Sequence, residues 1–280
     1  MVQLVTVSDP GDPRLDDFRD LTTADRRPDR PGGKGLVVAE GVVVVRRLLD
    51  SPYPVRALLG VARRFAEMAD DLAGVTAPAY VASPEVMAEV VGFHLNRGVL
   101  AVADRAVPVA ATELAARARL LAVLEGVNDH ENLGALFRNA AAFGVDGVLL
   151  GPRCADPLYR RSVRVSMGHV LRVPFAPLPA DPPWPASLDV LRDPHAPGWR
   201  IVALTPRPAA RPLPDAGLAG QRVALLLGAE GPGLTDTVLA AADEWVRIPM
   251  ADGVDSLNVA TAAAVAFYAA RGGGASTNKH

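Results

Sequence analysis

The sequence predicts an α/β protein in two parts, a small N-terminal α/β domain followed by a larger one with a parallel sheet flanked by helices. Three observations carry this. Short β-branched runs alternate with segments of helical period along most of the chain. The run Val223–Leu227 is apolar at every position, as in a parallel strand buried on both faces. After about residue 106 comes a stretch that reads as a connection between the two parts.

Taken in order, Leu36–Ala39 reads as a strand, and Glu40–Leu49 begins ambiguously and ends like a helix. Val55–Leu59 is a strand, Arg63–Leu72 a helix, and Ala79–Val81 a strand. Pro84–Val91 is a helix with Ser83 placed to cap it, and Val99–Ala103 closes the domain as a strand. Residues 1–106 form this first domain and 107–119 the linker. From 120 to 271 the alternation resumes. Leu120–Leu124 is a strand, 132–143 a helix, Gly147–Leu150 a strand, 157–166 a helix and Val170–Pro174 a strand. Pro174–Pro214, rich in proline, reads as loops around one strand, Trp199–Leu204. After Val223–Leu227 come a helix from Thr235, a strand Trp245–Ile248 and an Ala-rich helix 257–270. The glycine-rich end, 272–280, reads as a flexible tail.

Composition excludes several classes of function. With 280 residues, half of them hydrophobic, the chain can bury a large core. Its single cysteine, Cys154, excludes an intramolecular disulfide and a Cys-based zinc cluster. No run reaches the roughly 18 to 20 apolar residues of a membrane span, and the start lacks the pattern of a secretory leader, so a cytoplasmic location is expected. The net charge of −2 gives no global basic field, yet arginines cluster locally at Arg26, Arg27 and Arg30 with Lys34, at Arg46 and Arg47, at Arg63 and Arg64, and at Arg160, Arg161 and Arg164.

Three segments carry the chemistry. In the first, Leu133, Leu136, Phe137, Ala140 and Ala141 form one apolar stripe of a helix. Asn132 stands at its start, as a cap or a ligand contact, and Arg138 lies off the stripe. In the second, the buried strand runs into Gly228-Ala-Glu230-Gly231-Pro-Gly233, whose glycines let a ligand approach the backbone while Glu230 sits at the strand's C-terminal edge. It lacks the GxGxxG and Gly-Lys-Ser/Thr signatures of dinucleotide and phosphate loops. In the third, Pro249 and Gly253 shape a loop ahead of Ser256 and Asn258, with Ser256 placed to cap the last helix.

In this order and spacing the three segments resemble the TrmH/SpoU branch of the SPOUT superfamily, S-adenosylmethionine-dependent RNA ribose 2′-O-methyltransferases. Asn132 and Arg138 match its first motif, Gly228, Glu230 and Gly231 its second, and Ile248 to Met250 with Ser256 to Val259 its third. Ala229 stands where relatives often carry Asn, at a position usually read through its backbone. Gly92–Ala101 and Val38–Gly41 are similar to the family's small N-terminal RNA-binding domain.

The resemblance implies a C-terminal SPOUT domain with a deep trefoil knot and a homodimer whose active sites draw on both subunits. It implies S-adenosylmethionine held by Leu227, Gly228, Ala229, Gly231, Ile248, Met250 and Leu257, and catalysis by Arg138, Asn132, Glu230, Ser256 and Asn258. RNA would meet Arg26, Arg27, Arg30 and Lys34, since phosphate contacts need local positive charge. The N-terminal domain favours ribosomal RNA. A tRNA 2′-O-methyltransferase, or a non-catalytic RNA-binding or ribosome-assembly protein on the same fold, is the alternative, and no metal is implied.

Overall fold

The computed structural model describes residues 2–19, 21, 33–93, 95–192 and 198–272. The chain divides into two compact units, Met1–Val107 with Asp156–Arg172, and Pro108–Ala155 with Val173–His280. No helix among the described residues is long and apolar enough to cross a membrane.

The first unit holds a five-stranded sheet of β1 (Leu4–Thr6), β2 (Val37–Glu40), β3 (Val55–Gly60), β4 (Ala79–Val81) and β5 (Val99–Ala103), ordered β1-β4-β3-β5-β2. The pairs β1/β4 and β4/β3 are parallel, and β5 runs antiparallel to both β3 and β2. All five residues of β5 are buried, which matches their unbroken apolar run. Around the sheet lie α1 (Val42–Leu49), α2 (Ala62–Glu67) and α3 (Pro84–Val91). Helix α3 follows its sequence signals: Ser83 Oγ accepts from Val86 N at 3.3 Å, and Gly92 closes the helix with φ of 79°. Strand β1 lies in a stretch to which the sequence pattern assigns no element.

The second unit is built on β6 (Leu120–Glu125), β7 (Gly147–Leu150), β8 (Phe175–Pro177), β9 (Arg200–Leu204), β10 (Arg211–Pro212), β11 (Val223–Gly228) and β12 (Glu244–Arg247). Their order is β10-β12-β9-β11-β6-β7-β8, and every pairing is parallel. The chain lays down β6, β7 and β8 outward, crosses to β9 and β10, and then returns to insert β11 between β9 and β6 and β12 between β10 and β9. Parallel register brings the C-terminal ends together, with Glu125 beside Gly228. That edge is where α/β sheets present loops to ligands. Helices α4 (Ala111–Arg117), α5 (His130–Ala142), α7 (Asp236–Ala241) and α8 (Val259–Ala270) belong to this unit. The Asn139 Nδ2 donates to the Ala260 carbonyl at 2.8 Å, tying α5 to α8.

Four sequence expectations change. The stretch 107–119, read as a linker, holds α4, whose Ala111, Leu114 and Ala115 are buried in the second unit's core. Residues 170–174 are not a strand: His169–Leu171 is a 3-10 turn, and β8 begins after Pro174. Proline lacks an N–H for the ladder, and the Pro174 carbonyl opens it by accepting from Val148 N at 2.9 Å. Helix α2 stops at Glu67 rather than Leu72. The segment Asp156–Arg172, with helix α6 (Arg160–Val165), clusters with the first unit, although it falls inside the range 120–271 read as one domain.

Candidate active site

The site is assembled on the C-terminal edge of the parallel sheet. Strand β11 ends at Gly228, where a Cβ would stand 2.3 Å from the Gly233 carbonyl carbon and 2.4 Å from the Leu234 nitrogen. Only a glycine lets the loop fold back this tightly. Gly233 N then donates to the Ala229 carbonyl at 3.0 Å, closing the loop on itself, with Gly231 at φ of 82°. Facing this loop are Ile248 and Met250 after β12, Leu204 to Pro206 at the end of β9, and Ser256 to Val259 entering α8. Together they enclose a cavity of about 340 Å³, within the range of small-molecule sites.

One hydrogen-bonded network stands at its wall. Asn258 is the N-cap of α8, its Oδ1 accepting from Ala260 N at 3.0 Å and Thr261 N at 3.2 Å. Its Nδ2 donates to Asn132 Oδ1 at 2.7 Å and to Glu230 Oε1. Asn132 is not a cap: Asp129 takes that place on α5, accepting from Glu131 N at 2.9 Å and Asn132 N at 2.8 Å. The Asn132 side chain is thereby left for Asn258. Ser256 does not cap α8 either; it lines the cavity from an exposed loop.

The expected cofactor residues Leu227, Gly228, Ala229, Gly231, Ile248, Met250 and Leu257 all line the cavity, as do Glu230, Ser256 and Asn258. Arg138 does not line it. It is exposed on α5 and makes no hydrogen bond among the described residues. Six positions beyond Asn132, it lies about 9 Å further along the helix and about 120° around it. Sequence reading missed Thr205 and Pro206, the buried Thr205 being 7% exposed. Their signal was position alone, the first residues after a parallel strand. Cys154 is no candidate nucleophile, because burial pushes its thiol pKa up.

Of the expected RNA contacts, Arg26, Arg27 and Arg30 lie outside the described residues. Lys34 is exposed and donates to the Asp16 carbonyl at 3.0 Å. Other cationic clusters are partly engaged, with Arg46 paired to Asp71 at 2.8 Å and Arg64 to Glu67 at 2.6 Å.

A parallel sheet re-entered by its own later strands, with a glycine loop and an Asn-capped helix around a ligand-sized cavity, defines an α/β protein with a small-molecule site at the C-terminal edge of its sheet. The profile of the SpoU rRNA Methylase family matches residues 119–268, and the chain belongs to that family. It is 60% identical over 264 residues to a Mycobacterium tuberculosis protein named uncharacterized tRNA/rRNA methyltransferase, covering 94% of this chain and 90% of that one. It is 32% identical over 151 residues to a 23S rRNA (guanosine-2'-O-)-methyltransferase of Vibrio vulnificus, covering 54% of this chain and 58% of that one. An rRNA methyltransferase structure from Sinorhizobium meliloti, with AdoMet bound, shares the fold at a TM-score of 0.79 and 24% identity, over 96% of this chain and 98% of that one.

Proposed function

We propose that the chain transfers a methyl group from S-adenosylmethionine to a ribose 2′-hydroxyl of RNA, with ribosomal RNA as the substrate. The observation that carries this is the Asn258 network with Asn132 and Glu230 at the wall of the cavity. The cavity residues fit the cofactor: Leu227, Ile248 and Leu257 offer an apolar slot for adenine, and the folded-back 228–233 backbone offers polar partners around it. When bound, S-adenosylmethionine supplies a sulfonium methyl as electrophile.

The rest falls to this chain's residues. A ribose hydroxyl is a weak nucleophile, so positioning and charge stabilisation must supply most of the acceleration. Asn258 holds Glu230 and Asn132 in one orientation while its own backbone is fixed by the helix it caps. Arg138 stabilises the developing alkoxide and grips the neighbouring phosphate. It does not act as a free base, because a guanidinium stays protonated. Its distance around α5 from Asn132 supports a homodimer in which Arg138 of one protomer serves the cavity of its partner. We read the returning path of β11 and β12 as the family's deep trefoil knot, and the cytoplasm as the working compartment.

Incubating the protein with labelled S-adenosylmethionine and total bacterial RNA, followed by nuclease digestion and mass spectrometry, tests the reading. A 2′-O-methylnucleoside from 23S RNA is expected. Methyl on a base, or on tRNA alone, overturns the acceptor or the substrate. Absence of cofactor binding by calorimetry favours a non-catalytic RNA-binding scaffold.

A further inference from the structure

At the C-terminal end of β6, Glu125 is 2% exposed and outside the cavity lining. A buried carboxyl is costly unless its lone pairs are met. Here they are met by two loops. Oε1 accepts from Trp184 Nε1 at 2.8 Å and from Thr235 Oγ1 at 2.9 Å, and Oε2 accepts from Thr235 N at 2.9 Å. Trp184 lies within the proline-rich stretch after β8, and its ring lies 3.2 Å from where a Cβ of Gly151 would stand, beyond β7. Thr235 is the N-cap residue of α7 but makes no side-chain bond to the helix backbone; its hydroxyl donates to Glu125 and lies 3.1 Å from Thr237 Oγ1.

The position explains these bonds. Gly228, where the cavity loop begins, pairs with Glu125 in the strand ladder, and Thr235, where that loop ends, is held by the Glu125 side chain. One residue thus fixes both ends of the segment that contributes Ala229, Glu230, Gly231 and Gly233 to the cavity. We propose that Glu125 is a positioning residue that sets cofactor affinity by clamping the 229–234 loop through Thr235. This rests on the proposed use of S-adenosylmethionine.

Glu125→Gln replaces one acceptor with an N–H₂ donor facing the Thr235 N–H, and Thr235→Val removes the hydroxyl while keeping the amide. Measured by calorimetry with S-adenosylmethionine, Glu125→Gln should raise Kd about tenfold or more, and Thr235→Val about threefold. Thr235→Ser should restore the wild-type value, and kcat at saturating cofactor should stay within about threefold. A merely structural role would lower Tm and the active fraction and leave Kd and KM alone. That pattern overturns the proposal, and the Thr235 pair decides it even where Glu125→Gln fails to fold. Wild-type protein that binds no S-adenosylmethionine overturns the functional reading and this inference together. Wild-type binding with both variants unaffected overturns this inference alone.

Discussion

The roles proposed for Arg138 and Asn258 differ, and single substitutions separate them. Arg138 is exposed and without a hydrogen bond among the described residues, so Arg138→Ala breaks no hydrogen bond seen there. Methyl transfer should fall by about a hundredfold or more, with Kd for S-adenosylmethionine within about twofold by calorimetry. Retained turnover would remove Arg138 from the reaction. Asn258 caps α8 and also lines the cavity. Asn258→Ala loses the cap of α8, about 1 kcal/mol, and Tm should drop by a few degrees along with activity. Asn258→Asp keeps the capping oxygen but turns the donor that met Glu230 and Asn132 into an acceptor. Its Tm should exceed that of the Ala variant while turnover stays low; full activity of the Asn258→Asp variant would show the network to be incidental to catalysis. The polar residues at these helix starts were legible in the sequence, but their partners were not. Asp and Asn cap equally well, so Asp129 and Asn132 could not be told apart, and the bond from Asn258 to Asn132 spans 126 residues.

Among the elements, the glycine turn after β11 is the least tolerant. A Cβ at Gly228 meets backbone at 2.3 Å, and backbone cannot rotate away as a side chain can. Gly228→Ala should therefore displace the 229–234 loop and raise the cofactor Kd by about tenfold or more. Gly147→Ala is the matched control: the nearest atoms to its Cβ belong to the Leu114 side chain on α4, from 2.7 Å, and not to backbone. Tm should fall with Kd unchanged; equal Kd losses in both variants would mean that general destabilisation, not loop path, controls binding. The same contrast explains what was legible at this scale. The apolar run of β11 announces a doubly buried strand. Helix α4 does not announce itself, because its buried face is largely alanine and a single Leu114 carries no period. Where β8 begins was obscured by Pro174, which breaks one pattern and opens another.

At the scale of the whole molecule, the chain's three crossings between units forbid a clean cut at residue 107. Residues 156–172 cluster with the first unit, and their Val163, Val170 and Leu171 are buried. A fragment of residues 108–280 carries that segment without the sheet it belongs to, and should aggregate or melt below the intact chain in a thermal scan. No local pattern could have shown this, because α6 looks like any other helix of the alternation. The order of the three motifs was legible at this scale and fixed the family; subunit number was not, since an exposed apolar face on one helix is common in monomers. On α8, the buried side carries Ala263, Ala266 and Phe267, and Val265 and Tyr268, three residues apart, are 39% and 51% exposed. If Arg138 of one protomer serves the other, this face is the natural seam, because α8 packs on the helix that bears Arg138. Light scattering should then give about twice the 29.3 kDa chain mass. Val265→Glu with Tyr268→Glu should give monomers with native circular dichroism and no methyl transfer. Active monomers would show that each chain completes its own site, and would require Arg138 to reach the cavity of the subunit that carries it.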